Sequence, residues 1–252
     1  MTNAERPPIA DSYQRLQAAQ KPGKGAPLYS RVVNRPLGRV LAAIAHRIGL
    51  TPNAVSLISA SFTYTAIILL FVAEPTLPIA IALCLLLVIG YALDAADGQL
   101  ARLRGGGTLS GEWLDHVVDS GKIASLHLGV LVMMNNWYKA PAIVLAIPLG
   151  FTIVTVVHFF GMLLTELLTR LNAARTNESP RAPEAASTLF AALKLPTDYG
   201  VLCLVFVTVH VPAVFVWAYG LLAVGSAGYT LLALPVWYRR IRALDAVRSA
   251  AG

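Results

Sequence analysis

Charge is what this sequence has least of. Asp, Glu, Lys and Arg supply 13% of its 252 residues, where ordinary soluble domains carry about a quarter. Hydrophobic residues make up 56%, and the mean hydropathy is +0.64. A soluble globular domain is excluded on that balance. Cysteine is scarce too: Cys84 and Cys203 both fall within apolar runs, offer no disulfide framework and read as small apolar fillers. No basic leader with a small-residue cleavage site precedes the first apolar run, so no signal peptide is expected. No Gly-Lys-Ser/Thr follows the triple glycine 105–107, which excludes a phosphate-binding P-loop there. No internal repeat stands out, and a single membrane domain accounts for the chain.

What is present is a series of apolar runs long enough to cross a bilayer, which takes about 20 helical residues. Six spans are expected at 54–73, 77–101, 112–134, 141–168, 197–211 and 213–237, the last two parted by His210, Val211 and Pro212. The fold class is therefore an all-α integral membrane protein. With six crossings, both termini share one side. That side would hold 18 of the 20 Lys and Arg residues, all except Lys122 and Lys139. Basic residues are retained in the cytoplasm during insertion, so both termini and their loops are expected there, in the cytoplasmic membrane. The net charge of +7 then follows from topology and anionic lipid headgroups, and no nucleic-acid partner is needed.

Four segments are expected. Residues 1–27, rich in Pro, Gly, Lys and Gln, read as a mobile cytoplasmic tail. Residues 28–50 contain Leu37, Val40, Leu41, Ile44 and Ile48 at helical spacing, with Arg39 and Arg47 off that stripe. This is an amphipathic helix, lying either on the membrane surface or on the protein's own cytoplasmic face. Residues 51–240 form the six-helix domain and 241–252 a cytoplasmic tail. The stretch 171–188 is polar and proline-containing, and reads as a flexible loop.

The chemistry lies in "LDAADGQLARLRGGGTLSGEWLDHVVDSGK", residues 93–122. At about 100° per residue, Asp94, Asp97, Gly98, Ala101 and Arg102 share one arc of a helix. Gly111, Asp115 and Asp119 line a stripe of the next, and the glycines between them suit a sharp reversal. The four carboxylates thus converge at the cytoplasmic mouth. Arg102 and Lys122 cannot neutralise them all, and unpaired they would repel and take up protons. Divalent cations can neutralise them. Hard oxygen ligands suit Mg²⁺ or Mn²⁺, and two such ions about 3.5–4 Å apart make a clamp for phosphoryl transfer. Gly98 lets a bulky group approach the helix, and Arg102 offers a bidentate fork for phosphate. Intramembrane carboxylates also mark ion carriers, but these cluster at one end of the bilayer with no polar path continuing outward.

Asp94, Asp97, Gly98, Ala101, Arg102, Gly111, Asp115 and Asp119 fit every fixed position of a pattern by which the chain resembles the CDP-alcohol phosphotransferases. The resemblance implies an enzyme that cleaves the pyrophosphate of a CDP-linked donor, releases CMP and joins two alcohols through a phosphodiester. It implies two divalent cations, with Asp94, Asp97, Asp115 and Asp119 as metal ligands and Asp119 also as general base. Gly98, Ala101, Arg102 and Gly111 would receive the cytidine diphosphate, with Asn53 as a further neighbour. A homodimer is implied as well. "GLTPNAVSLIS" and "ARLRGGGT" look like stretches of phosphatidylinositol-phosphate synthases, although Ser-Gly-Lys follows Asp119 where those enzymes would have Arg.

The pattern reads the CDP moiety and leaves two substrate pairings open: CDP-diacylglycerol with a soluble alcohol, or a soluble CDP-alcohol with a lipid acceptor. Lys122, Lys194, Arg239 and Arg240 could form a cationic ring suited to an anionic polyol-phosphate acceptor; equally, they could simply obey the positive-inside rule. Lys122 is open between holding Asp119 ionised, binding the acceptor and snorkelling to headgroups. Glu112 reads as a helix-dipole partner. His116, His127, His158 and His210 read as structural.

Overall fold

The computed structural model describes residues 8–18, 27–176 and 194–251. Among the described residues helices joined by short loops make up the protein, with no strand. The elements are α1 (Ile9–Ala18), α2 (Arg35–Ile48), α3 (Pro52–Val72), α4 (Leu77–Leu103), α5 (Leu109–Asn136), α6 (Ala142–Thr176), α7 (Tyr199–Val205) and α8 (Pro212–Ala251). A π-helical turn, Ser30–Asn34, leads into α2, and 3₁₀ turns flank α7 at Leu195–Thr197 and Phe206–Thr208. Five helices, α3, α4, α5, α6 and α8, are long and apolar enough to cross a membrane.

The helix ends follow from local chemistry. Gly49, at φ +88°, closes α2 in the left-handed conformation that glycine adopts without penalty. Thr51 then caps α3 by accepting the Ala54 N–H at 3.2 Å, with Pro52 in the first turn. Gly105 and Gly106, at φ +96° and +128°, make the reversal between α4 and α5. Thr108 caps α5 by accepting the Gly111 N–H at 3.0 Å.

Helix α4 is the hub, packing against α2, α3 and α7, while α5 packs on α3 and α6, and α6 on α8. Small residues allow the close approaches: a Cβ on Gly90 of α4 would lie 2.5 Å from Thr63 Oγ1 of α3. The apolar core, around Leu70, Leu83, Leu87, Leu126, Phe206 and Tyr219, sits away from the 94–119 stretch. Helices α6 and α8 leave large apolar side chains exposed, Trp217 at 81% among them, as lipid-facing surfaces do.

Three sequence expectations need adjusting. The segment 1–27 was expected to lack apolar periodicity, yet Ile9–Ala18 form a helix. Leu16 is 2% exposed, and Ser12 Oγ lies 3.1 Å from His46 Nδ1 on α2. Ile9, Tyr13 and Leu16 carry the helical spacing that the polar composition obscures; residues 1–7 and 19–26 lie outside the described residues. The fourth span runs on to Thr176, so the first part of the expected loop at 171–188 is helix. The remainder, 177–188, lies outside the described residues. The fifth span is reduced to α7 and its 3₁₀ turn: Asp198 caps it by accepting the Gly200 N–H, and the chain tightens at Phe206–Thr208 before Pro212 opens α8. Ten apolar residues, Tyr199–Thr208, reach only about 15 Å as helix.

The stripe predicted on α2 also has a definite direction. Leu37, Val40, Ile44 and Ile48 are exposed, whereas Gly38, Ala42 and Ala45 are buried, with Gly38 lying against Ala95 of α4. The small-residue face meets the bundle, and the large apolar face points away from it.

Candidate active site

Asp94 and Asp97 lie three residues apart on α4, and Asp115 faces them from α5. Each offers an oxygen, all within 4.8 Å of one another. The tight reversal through Gly105 and Gly106 brings the two helices alongside, and Arg104 steadies it by donating from Nη2 to the Leu50 carbonyl at 2.7 Å. Asp97 is 6% exposed. Its Oδ2 accepts the Ser56 hydroxyl at 2.5 Å from across the α3–α4 contact.

Among the described residues, no ammonium or guanidinium lies within 4.0 Å of an Asp97 or Asp115 carboxylate. Three converging hard-oxygen ligands, two of them without a salt bridge, fit a divalent cation such as Mg²⁺ or Mn²⁺. The residues present are therefore suited to the metal that the sequence pattern implies.

Asp119, one turn beyond Asp115, is arranged differently. Lys122 Nζ donates to Asp119 Oδ1 at 3.1 Å, to Asp94 Oδ1 at 2.7 Å and to Ser59 Oγ at 3.4 Å. Ser59 in turn donates to the Gly90 carbonyl at 2.8 Å.

The carboxylates open onto a cavity of about 290 Å³. One wall is α4, with Tyr91, Gly98, Gln99 and Arg102; the other is the segment leading into α2, with Ser30, Asn34 and Arg35. At Gly98 the nearest atom to an added Cβ would be Arg102 Nη1, at 3.6 Å, so space is open over the helix backbone. Ala101 lies toward the reversal, 4.0 Å from a Cβ placed on Gly107. Gly111 packs beside Asn53: an added Cβ there would stand 3.0 Å from Asn53 Oδ1.

The α2 wall is tied down at both ends. Gln99 Nε2 donates to the Arg35 carbonyl at 3.2 Å. At the other end the Tyr29 N–H donates to Asp198 Oδ2 at 2.8 Å, while Asp198 Oδ1 accepts the Gly200 N–H at 3.2 Å. Tyr29 stacks near Tyr91, with ring centroids 6.4 Å apart, and Tyr91 meets Tyr199 edge-on at 5.1 Å. Gly200 is required there, because a Cβ would overlap the Tyr29 ring. Burial pushes the Tyr29 phenol above its ordinary pKa.

The structure thus brings Asp94, Asp97, Gly98, Arg102 and Asp115 to one cavity, with Lys122 and Asp119 beside it and Asn53 against Gly111. It does not bring Lys194, Arg239 or Arg240 to that cavity's lining. Arg239 and Arg240 are exposed near the end of α8, and Lys194 precedes the Leu195–Thr197 turn. Burial lowers the Lys194 ammonium pKa. Sequence reasoning missed Ser56, Ser59 and Arg35. The first two look like ordinary residues of an apolar span, and the only signal for Arg35 was its place at the head of an amphipathic helix.

The remaining candidates have structural partners. His127 Nδ1 meets the Tyr219 hydroxyl at 2.6 Å, His158 Nδ1 meets Thr230 Oγ1 at 3.0 Å, and His210 meets the Val207 carbonyl at 3.0 Å. Glu112 pairs with Arg170 at 2.5 Å and with His116 at 3.7 Å.

Comparison with known proteins follows the same lines. The sequence profile described as CDP-alcohol phosphatidyltransferase matches residues 49–237. The fold is similar to the phosphatidylinositol phosphate synthase of Mycobacterium tuberculosis solved with CDP-DAG bound. The TM-score is 0.52 at 20% identity, covering 82% of this chain and 94% of that one. The same protein solved with manganese and citrate gives a TM-score of 0.50 at 21% identity, covering 79% and 87%. No curated protein sequence matches. At such identities the likeness shows the fold.

Proposed function

This chain belongs to the CDP-alcohol phosphatidyltransferase family, and on that basis we propose how its residues carry out the family's reaction. The protein is a metal-dependent membrane enzyme of phospholipid synthesis that moves a substituted phosphate from a CDP-linked donor to an alcohol. In our reading the donor is CDP-diacylglycerol and the leaving group is CMP.

Asp94, Asp97 and Asp115 would hold one divalent cation, Mg²⁺ or Mn²⁺, and Asp119 would complete the site for a second. When bound, such ions neutralise the diphosphate and stabilise the leaving oxygen. Ser56 fixes the Asp97 carboxylate by its 2.5 Å bond. Arg102 offers its planar fork to phosphate, and the open space above Gly98 admits the diphosphate against the helix. Ala101, Gly111 and Asn53 shape the end where the cytidine would lie. Asp119, steadied by Lys122, accepts the proton of the attacking hydroxyl. A single carboxylate base contributes about 10²–10⁴-fold, so positioning and electrostatics supply most of the rate, as in phosphoryl transfer generally.

The observation that carries this reading is the group of three carboxylates within 4.8 Å on a cavity that also holds Gly98 and Arg102. With Arg102 given to the donor, the second guanidinium in that cavity, Arg35, favours an anionic polyol phosphate as acceptor. A soluble CDP-alcohol with a lipid acceptor is the other pairing the same chemistry allows.

The topology we propose has six crossings, with Tyr199–Thr208 completing a short fifth, because only an even number places 18 of 20 basic residues on one side. The termini and the cavity then face the cytoplasm. The outward stripe of α2 supports its lying in the headgroup layer. Residues 28–50 are thus an interfacial element and 51–240 the membrane domain, and we take the unit to be a homodimer.

The deciding experiment is CMP release by the purified chain from CDP-diacylglycerol and from soluble CDP-alcohols, with Mg²⁺ or Mn²⁺. Inositol phosphate, glycerol phosphate, inositol, serine and choline are offered as acceptors, and the soluble CDP-alcohols are paired with diacylglycerol. Turnover with CDP-diacylglycerol and a phosphorylated polyol is expected. Turnover only with a soluble CDP-alcohol and the lipid acceptor would overturn the donor assignment, and preference for an uncharged or zwitterionic alcohol would overturn the acceptor assignment.

A further inference from the structure

The group of three close carboxylates leaves out Asp119, which bonds Lys122 instead. This lysine sits on α5, three residues after Asp119, and is 7% exposed. An ammonium so placed must be compensated, and all three of its N–H donors are directed at oxygens: Asp94 Oδ1, Asp119 Oδ1 and Ser59 Oγ. A lysine that snorkelled to headgroups, or stood ready for an acceptor's phosphate, would keep its ammonium exposed. Lys122 instead joins a carboxylate of α4 to one of α5, as a bridging cation would.

Asp94 is the shared residue. It belongs to the three-carboxylate group and also accepts from Lys122. A divalent ion linking Asp94 to Asp119 would compete with the ammonium for the same two carboxylates. We propose that Lys122 holds the place of the second divalent ion in the resting enzyme and gives it up when the donor's diphosphate arrives. The proposal rests on the metal reading above and concerns only how many ions are held, and when.

Charge supports this order. Four carboxylates facing one ammonium and one dication leave a single negative charge, which the two guanidiniums lining the cavity, Arg35 and Arg102, already offset. A second dication added without donor would leave the buried site with excess positive charge. A diphosphate brings the negative charge that makes a second dication favourable, and its oxygens supply ligands in place of those Lys122 shares. Lys122 is then a positioning residue. It keeps Asp119 aligned and ties uptake of the second ion to arrival of substrate.

The test counts ions. The full-length chain in nanodiscs is equilibrated with Mn²⁺, and bound metal is measured by elemental analysis and electron paramagnetic resonance, with and without CDP-diacylglycerol. The wild-type chain is expected to hold one Mn²⁺ with the six-line spectrum of an isolated ion. CDP-diacylglycerol should raise this to two, with the broadened spectrum of a coupled pair about 3.5–4 Å apart. Lys122→Met should hold the coupled pair without donor, and Lys122→Arg should still hold one. A coupled pair in the wild-type chain before donor is added would overturn the proposal, as would a single ion under every condition. A pair before donor leaves the metal reading standing, a single ion throughout leaves only its three-carboxylate site, and a wild-type chain that binds no Mn²⁺ would sink both. If Lys122→Met fails to fold, Lys122→Gln, which keeps a hydrogen-bond donor without the charge, takes its place, and a single ion in it before donor would overturn the proposal.

Discussion

The Ser56 hydroxyl donates to Asp97 Oδ2 at 2.5 Å, so a serine on the first long helix sets the orientation of a carboxylate on the second. Asp97 is buried and forms no salt bridge among the described residues, so this bond is its main support from another helix. Hydrogen bonds that orient metal-binding groups typically account for about 10–100-fold in affinity. Ser56→Ala should therefore weaken Mn²⁺ binding by roughly that factor while the protein still elutes as a folded species. A Mn²⁺ titration checks this, and unchanged affinity would mean that Ser56 does not orient a ligand.

Metal removal should abolish turnover. Exhaustive chelation is expected to stop CMP release, and Mg²⁺ or Mn²⁺ should restore it. Full activity in the chelated protein would contradict the role assigned to Asp94, Asp97 and Asp115.

Asp119→Asn keeps the shape of the side chain and removes its basicity. Turnover should fall about 10²–10⁴-fold, with donor affinity still measurable by equilibrium binding of CDP-diacylglycerol. Near-normal turnover would remove Asp119 from the position of base.

Two glycines on α4 should respond in opposite ways to alanine. At Gly98 the new methyl meets nothing closer than 3.6 Å, so thermal stability should hold while donor affinity falls. At Gly90 it would lie 2.5 Å from Thr63 Oγ1, and a loss of about 1–3 kcal/mol is expected from overpacking. Thermal unfolding and donor titration on both variants test the pair together. Wild-type donor affinity in Gly98→Ala would argue that the diphosphate does not approach that surface.

Asp198 is 1% exposed and receives the N–H groups of Tyr29 and Gly200. Asp198→Ala leaves buried donors without a partner, at about 1–3 kcal/mol. It should lower the thermal midpoint and weaken donor binding, since Ser30, Asn34 and Arg35 are held through that contact. A drop in stability with donor affinity intact would show that the α2 wall does not shape the substrate site.

What the sequence made legible was whatever lies within one helix and its next turn. Asp94, Asp97, Gly98 and Arg102 could be placed on one arc because helical periodicity alone decides it. Asp115 could be set opposite because three glycines leave few ways to connect the helices. Ser56, Ser59 and Arg35 were not legible, since their importance depends on which helix packs beside α4, and an apolar span shows no such preference. The fifth segment is shorter than its apolar composition suggests for a related reason: that composition continues through 197–211, but the Asp198 cap and the 3₁₀ turn at Phe206–Thr208 bound the helix. Lys122 could be read three ways until the structure showed its ammonium turned inward.

The cavity is closed by residues from opposite ends of the chain, for the Tyr29–Asp198 bond spans 169 positions. At typical ribosomal rates of about 5–20 residues per second, roughly 10–30 s separate the synthesis of its two partners. Through that interval the nascent chain already carries the carboxylates of α4 and α5 but has nothing to anchor the wall in front of them. The site is thus assembled late in membrane insertion, and a chain truncated before Asp198 would display the complete sequence motif without an enclosed place for substrate.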